Sequence, residues 1–311
     1  MSSVAVVQMR PRPGDVAGNR ARTVEAVRRA AAQGADLVVL PELCTTGYDF
    51  AAAAALMAQA EPVPEGPTVA AWAAEAARLG VSVVGGLTER APEGCYNAAV
   101  AVGPHGVAAV YRKAHLFAAE KALFRPGDSG PVVAELPCGR VGLVVCFDLR
   151  FPELPRALAL AGADLLAVPT TWTDLYKPNP YDERGWCMAN VLAQVHAYAN
   201  RVYVACADRV GAEAGVRYLG ASVIFDPGGV PLACPASPDG EEILVAPFDP
   251  ARARDKRLGD TNDLFADRRP DLYGALSGAP PAARSPLPDG EAEPTQQNAR
   301  QRSAAFGSST P

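Results

Sequence analysis

Gly34-Ala35-Asp36-Leu37-Val38-Val39-Leu40-Pro41 returns later in the chain as Gly162-Ala163-Asp164-Leu165-Leu166-Ala167-Val168-Pro169. Each copy is a short apolar run closed by a proline, the pattern of a strand buried on both faces. Each follows an Ala/Arg/Leu-rich helical segment, at 19–33 and 152–161, and each helix follows a further apolar run, at 4–8 and 141–146. Downstream, 81–86 resembles 202–207, each preceded by a helix-like stretch at 68–79 and 186–199. A hairpin then closes both halves. Segments 98–102 and 107–111 flank Gly103-Pro104-His105-Gly106, and 221–225 and 230–233 flank Asp226-Pro227-Gly228-Gly229. Pro supplies the fixed φ and Gly the positive φ that such turns need. Two β-α-β-α-β-β halves in one order predict an α/β fold. Its two sheets are related by a pseudo-twofold and pack face to face, with helices outside.

With 311 residues and 49% apolar content, the chain has ample material for a core. A net charge of −5 and the absence of a Lys/Arg stripe exclude a nucleic-acid footprint. No apolar stretch approaches membrane-spanning length, and the short apolar start runs into a strand rather than a signal peptide. Cys44, Cys95, Cys138, Cys146, Cys187, Cys206 and Cys234 are scattered without a CxxC pair, and His105, His115 and His196 lack ligand spacing. The expectation is a reduced, cytoplasmic protein with no metal and no cofactor. Residues 1–273 read as the folded domain, closed by Asp267-Arg268-Arg269-Pro270-Asp271-Leu272-Tyr273. Residues 274–311, rich in Pro, Ala and Ser, read as a tail that is disordered or packed on a partner subunit.

Chemistry concentrates at strand ends. In Arg140-Val141-Gly142-Leu143-Val144-Val145-Cys146-Phe147-Asp148-Leu149-Arg150-Phe151-Pro152-Glu153, an apolar run ends on Cys146, and Pro152-Glu153 opens a helix. A thiol there is presented to a pocket, or it packs as a small hydrophobe. Glu42 follows the strand at 37–40, at the repeat position of Thr170. Partly desolvated, its carboxyl would titrate in the range of a useful base; the other reading is a helix N-terminal acid after Pro41. Lys113 ends the hairpin strand in a chain with four lysines against twenty-five arginines, which favours a need for a compact ammonium over a solvated strand-end charge. Glu120 alone would be a solvent-facing acid. Together the four make sense. The carboxylate takes the thiol proton, and the ammonium stabilises the thiolate and then a tetrahedral oxyanion. The N–H of Phe147 is a second oxyanion donor. An acyl carbon attacked by Cys146 loses ammonia or an amine, and water hydrolyses the thioester.

The segments around Pro41-Glu42, Tyr111-Arg112-Lys113 and Cys146 to Glu153, in this order and at these separations, resemble the three signatures of the nitrilase superfamily of carbon–nitrogen hydrolases. Thr46-Gly47-Tyr48, Arg125-Pro126-Gly127-Asp128 and the closing Arg-Arg-Pro-Asp-Leu-Tyr are similar too, so the resemblance spans roughly residues 4 to 273. It implies a four-layer α-β-β-α sandwich that pairs through its α faces into a homodimer or higher homo-oligomer. It also implies Cys146 as nucleophile, Glu42 as general base and Lys113 as oxyanion stabiliser. Glu120 is implied as a second glutamate that positions substrate and supports proton transfer, with Tyr48 beside the pocket. The implied activity is an amidase that releases ammonia from a small linear carboxamide. An N-carbamoyl amine hydrolase is the close alternative and a nitrilase a more distant one. A non-catalytic binding or assembly module is disfavoured because all four polar residues are retained. Many members carry Arg-Ala-x-Glu-Asn where this chain has His196-Ala197-Tyr198-Ala199-Asn200, which removes an ion pair near a helix end.

For specificity, Trp172 in Thr170-Thr171-Trp172-Thr173-Asp174-Leu175-Tyr176 could wall an acyl chain. Asp174, aided by Asp182 and Glu183, could meet a cationic amino or guanidino end. Gly127-Asp128-Ser129-Gly130-Pro131 resembles a serine-protease nucleophile turn but lacks a matching histidine segment. Gly85-Gly86 lacks the spacing of a dinucleotide fingerprint. Structural roles are expected for His115 and Cys44.

Overall fold

Val-rich runs joined by Ala-rich helices build two six-stranded sheets in the computed structural model, which describes residues 2–48, 53–175, 180–213 and 215–276. The first half runs β1 (Ser2–Gln8), α1 (Val16–Ala32), β2 (Leu37–Val39), α2 (Ala53–Ala58), α3 (Pro67–Leu79), β3 (Ser82–Ala91), β4 (Gly94–Gly103) and β5 (Gly106–Arg112). Then α4 (Glu120–Leu123) and β6 (Val133–Leu136) lead into β7 (Gly139–Leu143), α5 (Glu153–Leu160), β8 (Leu165–Pro169), α6 (Met188–Asn200) and β9 (Tyr203–Ala207). A small ribbon of β10 (Ala212–Glu213) and β11 (Val216–Arg217) precedes β12 (Val223–Phe225), β13 (Pro231–Ala233), β14 (Glu242–Phe248) and α7 (Pro250–Arg254).

The duplication is explicit in the strand order. One sheet reads β14-β1-β2-β3-β4-β5 and the other β6-β7-β8-β9-β12-β13. β1, β2 and β3 pair in parallel, as do β7, β8 and β9; β3-β4-β5 and β9-β12-β13 are antiparallel. Each half also lends a strand to the other sheet. β14, from the end of the second half, pairs antiparallel with β1, and β6, from the end of the first, with β7. β1 and β2 lie against β8 and β9 between the sheets, while α1 packs on α3 and α5 on α6. This is the expected sandwich of two sheets flanked by helices.

Some boundaries shift for local reasons. The apolar run expected as a strand at 141–146 leaves the sheet after Leu143 and enters a 3-10 turn, Cys146–Arg150. α1 starts before residue 19 because the Asp15 side chain accepts from Gly18 N–H at 2.9 Å and caps it. α6 starts after 186 because Asn190 Oδ1 reaches back to the Cys187 N–H at 3.0 Å. The unit Met1–Asp255 contains both sheets; Lys256–Pro311 forms a second unit. Its described part holds the 3-10 turns Pro270–Leu272 and Gly274–Leu276. The expected tail lies outside the described residues from 277 onward.

Two adjacent glycines couple the core to the turn after β2. Successive residues of a strand face opposite sides. A Cβ on Gly85 would stand 2.5 Å from the ring of fully buried Trp72, whose Nε1 donates to Thr23 Oγ1 at 2.9 Å. A Cβ on Gly86 would stand 2.5 Å from Glu42 Cα. Gly85-Gly86 is therefore a packing device. Trp72→Ala should leave a void under β3 and lower the unfolding free energy by about 3–5 kcal/mol in urea denaturation.

Candidate active site

Three strand-end turns converge. After β2, the turn carrying Glu42 is held to β3: Gly86 N–H donates to Pro41 O at 3.1 Å and Cys44 N–H to Gly86 O at 3.0 Å. Leu43 within it adopts a left-handed φ of 44°. After β5, Lys113 N–H donates to Asn97 O at 2.8 Å, and Lys113 O accepts from Gly127 N–H at 2.9 Å. A Cβ on Gly127 would meet Arg112 O at 2.0 Å, so the protease-like Gly127-Asp128 turn serves to seat Lys113. After β7, Cys146 takes φ 45°, a conformation that costs a non-glycine residue energy and persists where neighbours enforce it. The enforcing neighbour is buried Asp148. Its Oδ2 accepts from Val145 N–H at 3.1 Å and Tyr111 OH at 2.8 Å, and its Oδ1 accepts from His115 N–H at 2.9 Å. One carboxylate thus staples the Cys146 turn to the loop that follows Lys113.

Lys113, Glu42 and Glu120 are fully buried and in contact. Lys113 Nζ donates to Glu42 Oε1 at 2.7 Å and Glu120 Oε1 at 2.9 Å. Asn97 Nδ2 donates to Glu42 Oε1 at 2.7 Å, Tyr48 OH to Glu120 Oε1 at 2.5 Å, and Phe117 N–H to Glu120 Oε2 at 3.0 Å. Glu42 Oε2 is buried without a partner. The Cys146 thiol donates to Thr171 O at 3.7 Å.

The charges explain the resting state. Burial, reinforced by the Glu120 charge, pushes the Glu42 carboxyl up, against Lys113 and Asn97. Burial pushes the Lys113 ammonium toward neutrality, but Glu42 and Glu120 more than reverse this and keep it charged. The Cys146 thiol is pushed well up by burial and then by the Glu42 charge; Lys113 and the Thr170 hydroxyl oppose this. The sulfur lies in the field of both Glu42 and Lys113. It rests as a thiol, not as the thiolate that the ammonium alone would favour.

The remaining residues named from sequence separate clearly. The Phe147 N–H belongs to the first turn of a 3-10 helix, whose donors have no intrahelical partner. Trp172 is buried, its N–H donating to Asp208 Oδ1 at 3.0 Å. Asp174 is half-buried, and its Oδ1 accepts from Arg217 N–H of β11 at 3.2 Å. Asp182 collects the N–H groups of Arg184 and Trp186 within its own turn, and Glu183 is exposed. His115 meets Asp148 Oδ1 through Nδ1 at 2.8 Å and stacks on Phe151 at 3.6 Å, a structural placement. Cys44 is pushed up to about 12 by burial and packs against Gly86 O. His196, where the resemblance led one to expect arginine, meets Leu149 O through Nε2 at 2.8 Å and ties α6 to the Cys146 turn.

Sequence reasoning missed Asn97, Asp148 and Tyr111. The available signals were a lone amide opening the apolar run Asn97-Ala98-Ala99-Val100 and an acid two residues past the cysteine. Among the described residues no group of three or more His, Cys, Asp or Glu is placed to hold a metal ion. Two open clefts of about 460 and 480 Å³ share Arg12, Arg22 and Glu241 and include none of the Cys146 cluster.

Residues 3–258 match the family model described as carbon–nitrogen hydrolase. The chain belongs to the carbon–nitrogen hydrolase family. A protein of Pyrococcus abyssi named nitrilase is 40% identical over 273 residues, covering 88% of this chain and 99% of that one. An N-carbamoylputrescine amidase of Arabidopsis thaliana is 32% identical, covering 84% and 91%. Among solved structures, an amidase variant from Nesterenkonia sp. AN1, bearing acrylamide added at its active-site cysteine, superimposes with a TM-score of 0.73. It is 29% identical and covers 89% of this chain and 100% of that one. This carbon–nitrogen hydrolase is therefore an enzyme with the fold of the nitrilase-superfamily amidases.

Beside the site of this hydrolase, Asp208 accepts from the N–H groups of Trp172, Arg209 and Ala221 and is pushed up to about 7 by burial. An acid whose folded pKa exceeds its unfolded value of about 3.9 binds extra proton only when folded. The stability it contributes is thus full below about pH 4 and is lost as pH rises through about 7. Asp208→Asn removes this titration. Its stability relative to the wild type, read by urea denaturation, should rise by at least about 1 kcal/mol between pH 5 and pH 8.

Proposed function

We propose that the enzyme cleaves a small linear carboxamide to acid and ammonia through a thioester on Cys146. The observation that carries this reading is a buried ammonium shared by two carboxylates, with Glu42 Oε2 left open as a proton acceptor. Glu42 takes the Sγ proton as sulfur bonds to the carbonyl carbon. The carbonyl oxygen becomes an oxyanion, held by the third Nζ hydrogen of Lys113 and by the Phe147 N–H. The C–N bond breaks as Glu42 returns the proton to nitrogen, and ammonia leaves. Glu42 then deprotonates a water that adds to the thioester, and the C–S bond breaks with the proton passing back to sulfur. Glu120 holds Lys113 in line, and Tyr48 holds Glu120. Trp172, buried in the strand-end segment that also carries Thr171 O, is the wall offered to the acyl chain.

The name of the Arabidopsis thaliana relative favours N-carbamoyl amines as the second reading, since the same thioester chemistry applied to a urea carbon yields amine, carbon dioxide and ammonia. Asp174, turned to β11, lends a cationic substrate end no support. The reading extends to a homo-oligomer: Met188, Val195 and Tyr198 on α6 and Leu160 on α5 are exposed, and an apolar patch of this kind suits a second copy of the chain. All seven cysteines are free, which suits a cytoplasmic location. Residues 1–273 form the hydrolase domain in this reading, with 274–311 as its tail.

Ammonia release from a panel of carboxamides, N-carbamoyl amines and nitriles tests the proposal. Carboxamides should turn over best, and Cys146→Ala and Lys113→Ala should each abolish release; turnover surviving in either variant would overturn the mechanism. On the acid side, kcat/KM should fall as pH drops through the raised Glu42 pKa, so the limb lies above the ordinary carboxylate range.

A further inference from the structure

A second buried ion pair stands behind the site, and the mechanism above makes no use of it. Arg209 is fully buried. Its Nη2 donates to Glu213 Oε1, its guanidinium lies 4.2 Å from the centroid of the Tyr218 ring, and its Nε and Nη1 are buried without partners. Desolvating a guanidinium costs several kcal/mol, often more than the ion pair returns, and orphaned donors add to that cost. As a source of stability the arrangement is poor.

Its geometry points to the catalytic cluster. The other oxygen of Glu213, Oε2, accepts from Tyr48 N–H at 3.0 Å and from Tyr218 OH at 2.9 Å. Tyr218 meets the Tyr48 ring edge-on, at 6.4 Å and 89°. Held at its backbone and against the Tyr218 ring, Tyr48 presents its OH to Glu120 Oε1. Gly47, just before it, has φ 83° and lies within 3.1 Å of Pro13 in the position a Cβ would take, so the approach to Tyr48 has little slack.

We propose that Arg209 and Glu213 are positioning residues that fix Tyr48, and through it the orientation of Glu120 and Lys113. The inference rests on the thioester mechanism proposed above. Arg209 fixes the Glu213 rotamer, Glu213 fixes the Tyr48 backbone, and the Tyr48 hydroxyl fixes the carboxylate that shares the ammonium. A loss at Glu213 should lower kcat with little change in KM, because it disturbs proton transfer and oxyanion contact rather than substrate entry.

A double-mutant cycle on the full chain tests this. Kinetics of ammonia release are measured for the wild type, Glu213→Gln, Tyr48→Phe and the double variant, with folding checked by circular dichroism. Glu213→Gln should lower kcat at least about tenfold in the wild-type background and less than about twofold in the Tyr48→Phe background, with KM within about twofold throughout. Equal losses in both backgrounds, or a KM effect without a kcat effect, would overturn the proposal. If Glu213→Gln fails to fold, Tyr218→Phe, which removes one of the donors to Glu213, takes its place in the cycle. If the wild type releases no ammonia from any panel member, the proposed function fails by itself. The cycle is then read as the rate of Cys146 alkylation by iodoacetamide, and additivity there overturns the positioning role.

Discussion

Lys113 keeps its charge although fully buried because two carboxylates share it, and the proposed chemistry depends on that balance. A buried ammonium facing a single carboxylate would tend toward a neutral pair, useless for stabilising an oxyanion. Glu42 and Glu120 both lie at hydrogen-bonding distance from the Lys113 ammonium, at 2.7 and 2.9 Å. Burial first, and then the Glu42 charge, pushes the Cys146 thiol up, and in the proposed mechanism the open Glu42 Oε2 is the place to which its proton goes. In the proposed attack one proton passes from sulfur to Glu42 as the oxyanion forms, so the net charge of the cluster does not change and little reorganisation is required.

The fold brings these groups together through its duplication. The turn after β2 supplies Glu42, and its repeat partner after β8 supplies Thr170, whose hydroxyl pulls the Cys146 thiol down. The two sheets face each other through β1, β2, β8 and β9, and turns far apart in sequence meet: Lys113 Nζ reaches Glu42 Oε1 at 2.7 Å, and Asp148 accepts from Tyr111 OH and His115 N–H. Close backbone approach makes this possible at two points, Gly86 under Glu42 and Gly127 under Arg112. Asp148 then fixes the third turn relative to the second.

The repeated Gly-Ala-Asp run, the hairpin turns and the alternation of helix and strand were legible in the sequence because they are local patterns whose period reports on burial. Cys146, Glu42 and Lys113 stood out as candidates because a thiol or charged side chain at the end of a buried strand breaks the pattern around it. Asn97 and Asp148 were not, because each acts through partners distant in the chain and looks locally like an ordinary strand or turn residue. The same limit applies to Asp174. Its loop placement suggested a substrate contact, but its hydrogen bond from Arg217 N–H could not be read there, because it forms only when the β10–β11 ribbon folds beside it. The strand expected to reach Cys146 stops early because the sheet releases the chain into the 3-10 turn that presents the thiol.

The pH dependence of Cys146 alkylation, resolved from the other six cysteines by peptide mass spectrometry, probes the convergence of these charges most directly. Glu42→Gln, which removes a nearby negative charge, should move the midpoint of the Cys146 profile to lower pH. Lys113→Met, which removes the positive one, should move it to higher pH. If neither substitution moved the midpoint, the sulfur would lie beyond the reach of both groups, and the three turns would not form one site.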